Sequence, residues 1–268
     1  MAESFLLEFL LYLVTGAFVG LAAGLLGIGG GLIIVPVLAT GLTFFIDSEQ
    51  IVHIAIGTSL ATILVTSLAS AYAHHQHGAV RWDIFRMLAV GVLAGAFFGG
   101  WLSQFIASAT LANMFGILGV LIAINMLLAF KPKPTRQLPG LAGNTAAGTV
   151  IGSLSSIVGI GGGTFTTPYQ VWNNVSMHQA VATSAVISLP VALAGSIGYV
   201  LAGLQATDLP AYTTGYIYWP AFFGIVLASV FTAPMGAKLA HQLPVKALKR
   251  AFGVFLLLFS AKMLFFTH

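Results

Sequence analysis

The sequence lacks cysteine and contains very little charge. None of its 268 residues is cysteine, which excludes disulfide bonds, thiolate metal sites and thiol nucleophiles. Charged residues make up 6% of the chain and hydrophobic residues 58%, whereas about a quarter of a soluble domain is charged. So few charges cannot cover a surface that faces water, and we therefore expect the chain to lie in a lipid bilayer. The small net charge of +4 falls at the ends of apolar runs, and we expect no binding to nucleic acid.

The apolar residues form runs of the length that crosses a bilayer as a helix, about 20 residues. Two longer tracts, about 5–45 and 140–175, are too long for one crossing, and each is interrupted near its middle by a string of glycines. The runs that suit a single crossing are approximately 52–74, 84–105, 111–130, 178–202, 216–237 and 247–266.

The two glycine strings belong to a repeated pattern. The segment "GLLGIGGGLIIVPVL" in the first half corresponds to "SIVGIGGGTFTTPYQ" in the second, with the proline at the same distance from the glycines. Further along, "HIAIGTSLA" from His53 corresponds to "HQAVATSAV" from His178. Blocks in the same order predict a duplicated unit, with a first transmembrane repeat at 1–130, a basic cytoplasmic linker at 131–139 and a second repeat at 140–268.

The loop charges predict that the two repeats are inverted. Lysine and arginine cluster near 81–86, 131–136 and 238–250, so we place these loops in the cytoplasm. The helix that starts at His53 then runs inward and the one that starts at His178 runs outward. Each glycine-broken tract must return to the side where it began, either as two crossings or as a re-entrant hairpin. The predicted fold is an all-α polytopic membrane protein of two inverted repeats, each with about four helices plus a glycine-broken segment.

Inverted repeats with broken helices are typical of secondary transporters, whose site lies near the middle of the membrane. A short helix that starts after each break would point its free N–H groups and positive dipole end into the break, and two facing helix starts can bind a small anion without lysine or arginine. Hydroxyl groups from a repeated Thr-Ser pair would complete the shell. The candidate substrate-binding residues are Gly29, Gly30, Gly31, Gly161, Gly162, Gly163, Thr164, Thr58, Ser59, Thr183 and Ser184.

Other interpretations stay open at this point. A channel-like anion pore could share the same fold. The "HHQH" segment, with His74, His75 and His77, could instead hold a metal in a metal carrier or membrane metalloenzyme. Glu8 lies close enough to the membrane surface to need no function, so no buried carboxylate is evident and a carboxylate cage for a metal is not expected. We expect a transporter rather than an enzyme, with no catalytic residue, metal ligand or cofactor.

The combination of "GLLGIGGGLIIVPVL", "GTSLA", "GSLSSIVGIGGGTFTTP" and "ATSAV" resembles the sulfite exporter TauE/SafE family of membrane permeases. The resemblance covers both halves of the chain. It implies a multi-pass protein of the bacterial inner membrane or the archaeal plasma membrane that carries small sulfur-containing anions such as sulfite or organosulfonates. Its partners would be this small anion and the lipid bilayer, and a homodimer is an open alternative.

Overall fold

The computed structural model describes residues 2–26, 30–128, 136–240 and 245–265. Helices account for almost all of this, and the few strand residues form one two-stranded antiparallel ladder, β1 (Thr213–Thr214) and β2 (Ile217–Tyr218). The helices are α1 (Ala2–Leu26), α2 (Gly31–Gly41), α3 (Ile51–Gln76), α4 (Trp82–Leu102), α5 (Ser108–Leu128), α6 (Leu141–Val158), α7 (Gly163–Trp172), α8 (Met177–Gly203), α9 (Trp219–Ala240) and α10 (Val245–Phe265).

The helices have the length and surface of membrane-spanning elements. Six of the described helices are long and apolar enough to cross a bilayer. Large apolar side chains lie on the outside of the bundle, for example Val90, Leu121 and Phe231. A soluble protein would bury such side chains, so this surface faces lipid. The prediction of an all-α polytopic membrane protein is confirmed, and each predicted single span corresponds to one helix.

The two halves contain the same order of helices. Each half has a long helix, a break, a short helix and three further long helices. The prediction was about four helices plus a glycine-broken segment in each half, and the structure agrees when the long helix before the break is counted as one of the four. The first helix of each half packs on the fourth helix of the other, α1 on α9 and α6 on α4. Glycines allow this close approach: a Cβ at Gly99 of α4 would lie 2.8 Å from the Ser153 carbonyl oxygen of α6.

Helices in equivalent positions of the two halves run in opposite directions. Gly57 near the start of α3 contacts Tyr216 beyond the end of α8, whereas Thr183 near the start of α8 binds Arg81 beyond the end of α3. Helix α5 is likewise antiparallel to α10: Gly116 of α5 contacts Leu264 near the end of α10, and Gly253 of α10 contacts Leu127 near the end of α5. Opposite directions are what an inverted duplication requires, and the duplication at 1–130 and 140–268 itself stays a prediction.

Both glycine-broken tracts are re-entrant hairpins. In the first, α2 runs back along α1, so that Gly41 contacts Leu11 and Gly30 contacts Val19. In the second, α7 returns to the start of α6, where the Tyr169 hydroxyl donates to Asn144 Oδ1 at 2.8 Å. With 11 and 10 residues, α2 and α7 are each about 15 Å long, half the apolar thickness of a bilayer.

The hydrogen bonds between loops sort them into two ends of the bundle. At one end, the Ser48 hydroxyl donates to the Asp208 carbonyl at 2.8 Å and the Ser108 hydroxyl to the Glu49 carbonyl at 2.6 Å. At the other end, the Arg136 backbone N–H donates to the Trp172 carbonyl at 3.3 Å. Asp47, Glu49 and Asp208 therefore lie at one end of the bundle, and Arg81 and Arg136 lie at the other. We call the end with Asp208 the outer end.

Candidate functional site

The two short helices begin at the same place in the middle of the bundle. A Cβ added to Gly31, the first residue of α2, would lie 2.5 Å from the Gly159 carbonyl oxygen and 2.8 Å from Ile63 Cδ1. Ile63 is fully buried halfway along α3. A Cβ on Gly161, two residues before α7, would be 3.5 Å from Ile63 Cγ2. The structure thus brings the two glycine breaks together around Ile63. The predicted site residue Gly29 lies outside the described residues.

Two glycines at the breaks have backbone conformations that other residues rarely adopt. Gly30 precedes α2 with φ of 78°, and Gly159 ends α6 with φ of 74°. Both values lie in the left-handed region, where a side chain is strained. These positive φ angles let the chain reverse direction at the break, so the glycines are needed for the hairpin as well as for close packing.

The start of α7 has its backbone donors paired within the protein. The Gly163 N–H donates to Ser188 Oγ at 3.2 Å, and the Thr164 N–H donates to the Gly161 carbonyl at 3.4 Å. The Ser188 hydroxyl in turn donates to the Ser184 carbonyl at 3.0 Å. An anion that binds here must replace the serine oxygen at Gly163. Ser188 was not among the predicted residues. The equivalent position in the first half is Ile63, so a polar residue in the second half replaces an apolar one in the first, and this difference could have identified Ser188 from the sequence.

The two short helices differ in polarity. At equivalent positions after the glycine strings, α7 carries Thr164, Thr166 and Gln170, whereas α2 carries only leucine and isoleucine. Thr166 Oγ1 lies 2.7 Å from Ser184 Oγ, and Gln170 Nε2 donates to the same oxygen at 3.0 Å. Within the described ranges, the buried Thr164 Oγ1 and Gln170 Oε1 have no hydrogen-bond partner. The unused hydrogen-bonding capacity near the centre therefore lies on the second half.

The repeated Thr-Ser pairs divide into two roles. Thr58 Oγ1 accepts the Tyr218 backbone N–H at 3.0 Å, directly before α9. Thr183 Oγ1 accepts the Arg81 backbone N–H at 3.0 Å, directly before α4. The two hydroxyls bind the starts of these helices rather than the glycine breaks, so the structure does not bring the threonines into the site.

The serines of the pairs point toward the centre. Ser59 Oγ donates to the Gly159 carbonyl at 2.9 Å, which connects α3 of the first half to the break of the second. Ser184 lies between Thr166 and Gln170 and is 1% exposed. Both predicted serines therefore lie beside the broken segment of the second half.

Glu8 corrects one expectation. Its side chain is 9% exposed on α1, and its Oε1 accepts the Tyr12 hydroxyl at 2.5 Å and the Tyr218 hydroxyl at 2.8 Å. The expectation that the chain has no buried carboxylate is therefore wrong. The four-residue spacing of Glu8 and Tyr12 places them on one helix face and was the available signal.

The alternative metal site receives no support. Across the part of the chain that the structure describes, no three histidine, aspartate or glutamate side chains come together as metal ligands. The His77 ring binds the Ala73 carbonyl through Nδ1 at 2.7 Å, and His75 packs against Trp82 with ring centroids 5.5 Å apart. These contacts account for two of the three histidines.

Comparison with known proteins identifies relatives of the chain. It matches the family described as "Sulfite exporter TauE/SafE" over residues 12–263. A probable membrane transporter protein of Haemophilus influenzae is 36% identical over 257 residues, which cover 95% of this chain and 97% of the relative. A probable membrane transporter protein of Methanocaldococcus jannaschii is 29% identical over 250 residues, 91% of either chain. The Bacillus subtilis protein YdhB, also a probable membrane transporter, is 29% identical over 240 residues, 87% of this chain and 90% of its own. No solved structure matches the chain.

Proposed function

We propose that this chain, which belongs to the sulfite exporter TauE/SafE family, exports small sulfur-containing anions such as sulfite or organosulfonates as a secondary transporter. That it is a multi-pass membrane transporter follows from the family and from its relatives, and in a bacterium such a protein lies in the inner membrane. The substrate, the direction and the mechanism are the proposal.

The observation that carries the proposal is the meeting of the starts of α2 and α7 at Ile63. The start of a helix carries a partial positive charge of about half an elementary charge. Two such ends at one buried point favour an anion, and helices α2, α3, α7 and α8 contain no lysine, arginine, aspartate or glutamate. A site without fixed charges suits a transporter, because the anion is attracted but can also be released.

The polar groups of the second half supply the remaining contacts. Gly163 N–H can exchange its serine partner for an anion oxygen. The Thr164 hydroxyl, which has no partner among the residues that the structure describes, can donate a further hydrogen bond. Small oxyanions and sulfonates present several acceptor oxygens within a few ångströms, which fits donors this closely spaced. We assign Ser59, Ser184 and the glycines of both breaks to the wall of this site, and Thr58 and Thr183 to the support of α9 and α4.

The hairpins suggest how access alternates. The α1–α2 hairpin returns to the outer end and the α6–α7 hairpin to the opposite end, so each covers the site from its own side. Movement of one hairpin against the other would expose the site to one side at a time. The membrane potential, negative inside, favours outward movement of an anion by about 2.3 kcal/mol per charge per 100 mV.

Counterflow in proteoliposomes tests the proposal. Vesicles loaded with sulfite or methanesulfonate are diluted into a trace of the labelled anion, with sulfate and chloride as competitors. A carrier accumulates the label transiently, and only those sulfur-containing anions that it transports suppress this accumulation. Label that merely equilibrates, with protein shown to be inserted, would indicate the pore; label that never enters would overturn the substrate assignment.

A further inference from the structure

A buried carboxylate in a membrane span is costly and is a functional candidate by default. Glu8 is such a group, and the substrate site at Ile63 does not use it. We propose that Glu8 is the proton-binding site through which a pH gradient drives transport, an inference that rests on the transport activity proposed above. The proton would bind a carboxylate oxygen from the outer end, where Tyr218 lies, and would be released to the opposite side after the change of access, so that one proton crosses the membrane in each cycle.

The hydrogen bonds around Glu8 favour a group that changes its charge. Both phenols donate to the same oxygen, Oε1, at 2.5 and 2.8 Å, and the Tyr12 and Tyr218 rings meet edge to face with centroids 6.3 Å apart. Tyr12 is fully buried and Tyr218 is 5% exposed. A carboxylate accepts phenol hydrogen bonds more strongly than a neutral acid does, so protonation weakens both contacts at once.

The two tyrosine hydroxyls are the side-chain hydrogen-bond partners of Glu8 among the described residues. Across the described residues, no lysine, arginine or histidine forms an ion pair with Glu8. Helices α2, α9 and α10 pack against α1. Tyr12 of α1 and Tyr218 just before α9 both bind Glu8, and Tyr212 acts electrostatically on Tyr218. Helix α10 carries the exposed Lys262 in its last turn, and α2 carries no titratable residue. A proton is therefore the simplest way to neutralise this carboxylate.

A short series of hydrogen bonds connects Glu8 to the second glycine break. The Tyr218 hydroxyl binds Glu8, and the Tyr218 backbone N–H binds Thr58 of α3 at 3.0 Å. The next residue of α3, Ser59, donates to the Gly159 carbonyl at 2.9 Å. Protonation of Glu8 loosens the first of these contacts, and the same residues carry the change to the backbone that lines the substrate site. These contacts form a continuous path from Glu8 to the second break, and coupling along it is measured by the effect of Glu8 substitutions on transport.

The test separates proton coupling from transport itself. Wild-type protein and Glu8→Gln are reconstituted in phosphatidylethanolamine–phosphatidylglycerol vesicles, with valinomycin and equal potassium holding the potential at zero. Labelled sulfite and labelled methanesulfonate are followed with and without a gradient of one pH unit, and uptake by protein-free vesicles is subtracted. With one proton per anion, the gradient supports about tenfold accumulation by the wild type, since about 1.4 kcal/mol corresponds to tenfold.

Glutamine keeps an acceptor for both phenols but cannot take up a proton. We expect Glu8→Gln to retain counterflow and to lose accumulation driven by the pH gradient. If Glu8 has only a structural role, Glu8→Gln should still accumulate the anion in response to the pH gradient, and that result would overturn the inference. The exposed Glu49→Gln at the same end is the matched control and should behave as wild type.

Tyr12→Phe provides a second, independent readout. It removes one donor to the ionised carboxylate and leaves the acid in place. The ionised form is then less favoured, so the midpoint of the pH dependence of transport should move to higher pH. Two results would contradict the role of Glu8 and leave the proposed function intact: an unchanged midpoint in Tyr12→Phe, or wild-type protein that shows counterflow but no accumulation in response to a pH gradient. Absence of wild-type counterflow for both anions would overturn the proposed function, and this inference with it.

Discussion

The Ser59 hydroxyl of α3 donates a hydrogen bond to the carbonyl oxygen of Gly159, 2.9 Å away and 100 residues later in the chain. This bond connects the first half of the molecule to the glycine break of the second. Both groups are buried. The contact therefore helps to hold the α6–α7 hairpin against α3, next to the point where α2 begins.

Ser59→Ala should weaken this connection. It leaves the Gly159 carbonyl buried without its partner, at a cost of about 1–3 kcal/mol. We expect a lower thermal stability in detergent and a slower counterflow rate than wild type. Ser70→Ala, on the same helix and half-buried, is the control that should change neither quantity. Wild-type stability in Ser59→Ala would show that this bond is not needed.

The glycines of the breaks should differ in their tolerance of a methyl group. A Cβ at Gly31 meets backbone at 2.5 Å, whereas the nearest atom to a Cβ at Gly161 is Ser188 Oγ at 3.4 Å. Gly31→Ala should therefore abolish counterflow and Gly161→Ala should retain it. Gly140→Ala, where a Cβ meets nothing within 4 Å, is the matched control. Equal activity of the Gly31 and Gly161 variants would contradict this packing at the break.

Larger side chains should block both breaks. Gly30 has a left-handed conformation and a Cβ there would lie 2.7 Å from Val19 Cγ1, while a Cβ at Gly162 would lie 3.0 Å from Val191 Cγ2. Gly30→Val and Gly162→Val should abolish transport while the protein still inserts into the membrane. Counterflow and membrane expression of each variant check this, and a fully active double variant would refute the assignment of the site.

Thr58 and Thr183 should affect stability more than substrate affinity. Valine has nearly the same shape but cannot accept the N–H before α9 or α4, a loss comparable to a missing helix cap, about 0.5–2 kcal/mol. We expect Thr58→Val and Thr183→Val to lower the melting temperature and to leave the concentration for half-maximal counterflow unchanged. Thr58→Ser, which keeps the acceptor, should be close to wild type. A large rise in the concentration for half-maximal counterflow, with no loss of stability, would instead indicate that the threonines contact the substrate.

The polar face of α7 should set substrate affinity. Thr164→Val removes a buried hydroxyl that has no partner among the described residues. If this hydroxyl donates to the anion, its loss should weaken binding at least about tenfold, because a hydrogen bond to a charged group contributes about 1.5–3 kcal/mol and about 1.4 kcal/mol corresponds to tenfold. Half-maximal counterflow concentrations measure the effect. Thr167→Val on the same helix is the control, and equal values for both variants would place the substrate elsewhere.

Much of the fold could be predicted from apolar run lengths, because each crossing needs about 20 apolar residues. The re-entrant form of the broken tracts could not, since two crossings and a hairpin return the chain to the same side. The contacts of Thr58 and Glu8 were equally inaccessible: their partner Tyr218 is 160 and 210 residues away in sequence. That the two breaks face each other could be predicted from the glycine strings. The polar groups on one side of the meeting point could not, because they depend on which residues of α7 and α8 are in contact.

The most direct measurement is equilibrium binding of labelled sulfite to purified protein, with wild type, Gly31→Ala and Gly140→Ala compared at matched folded concentration. Binding needs no gradient and no complete transport cycle, so it reports on the site where the two breaks meet. We predict saturable binding by the wild type and Gly140→Ala, competed by sulfonates, and loss of binding in folded Gly31→Ala. Wild-type affinity in folded Gly31→Ala would contradict a substrate site at the meeting point of α2 and α7.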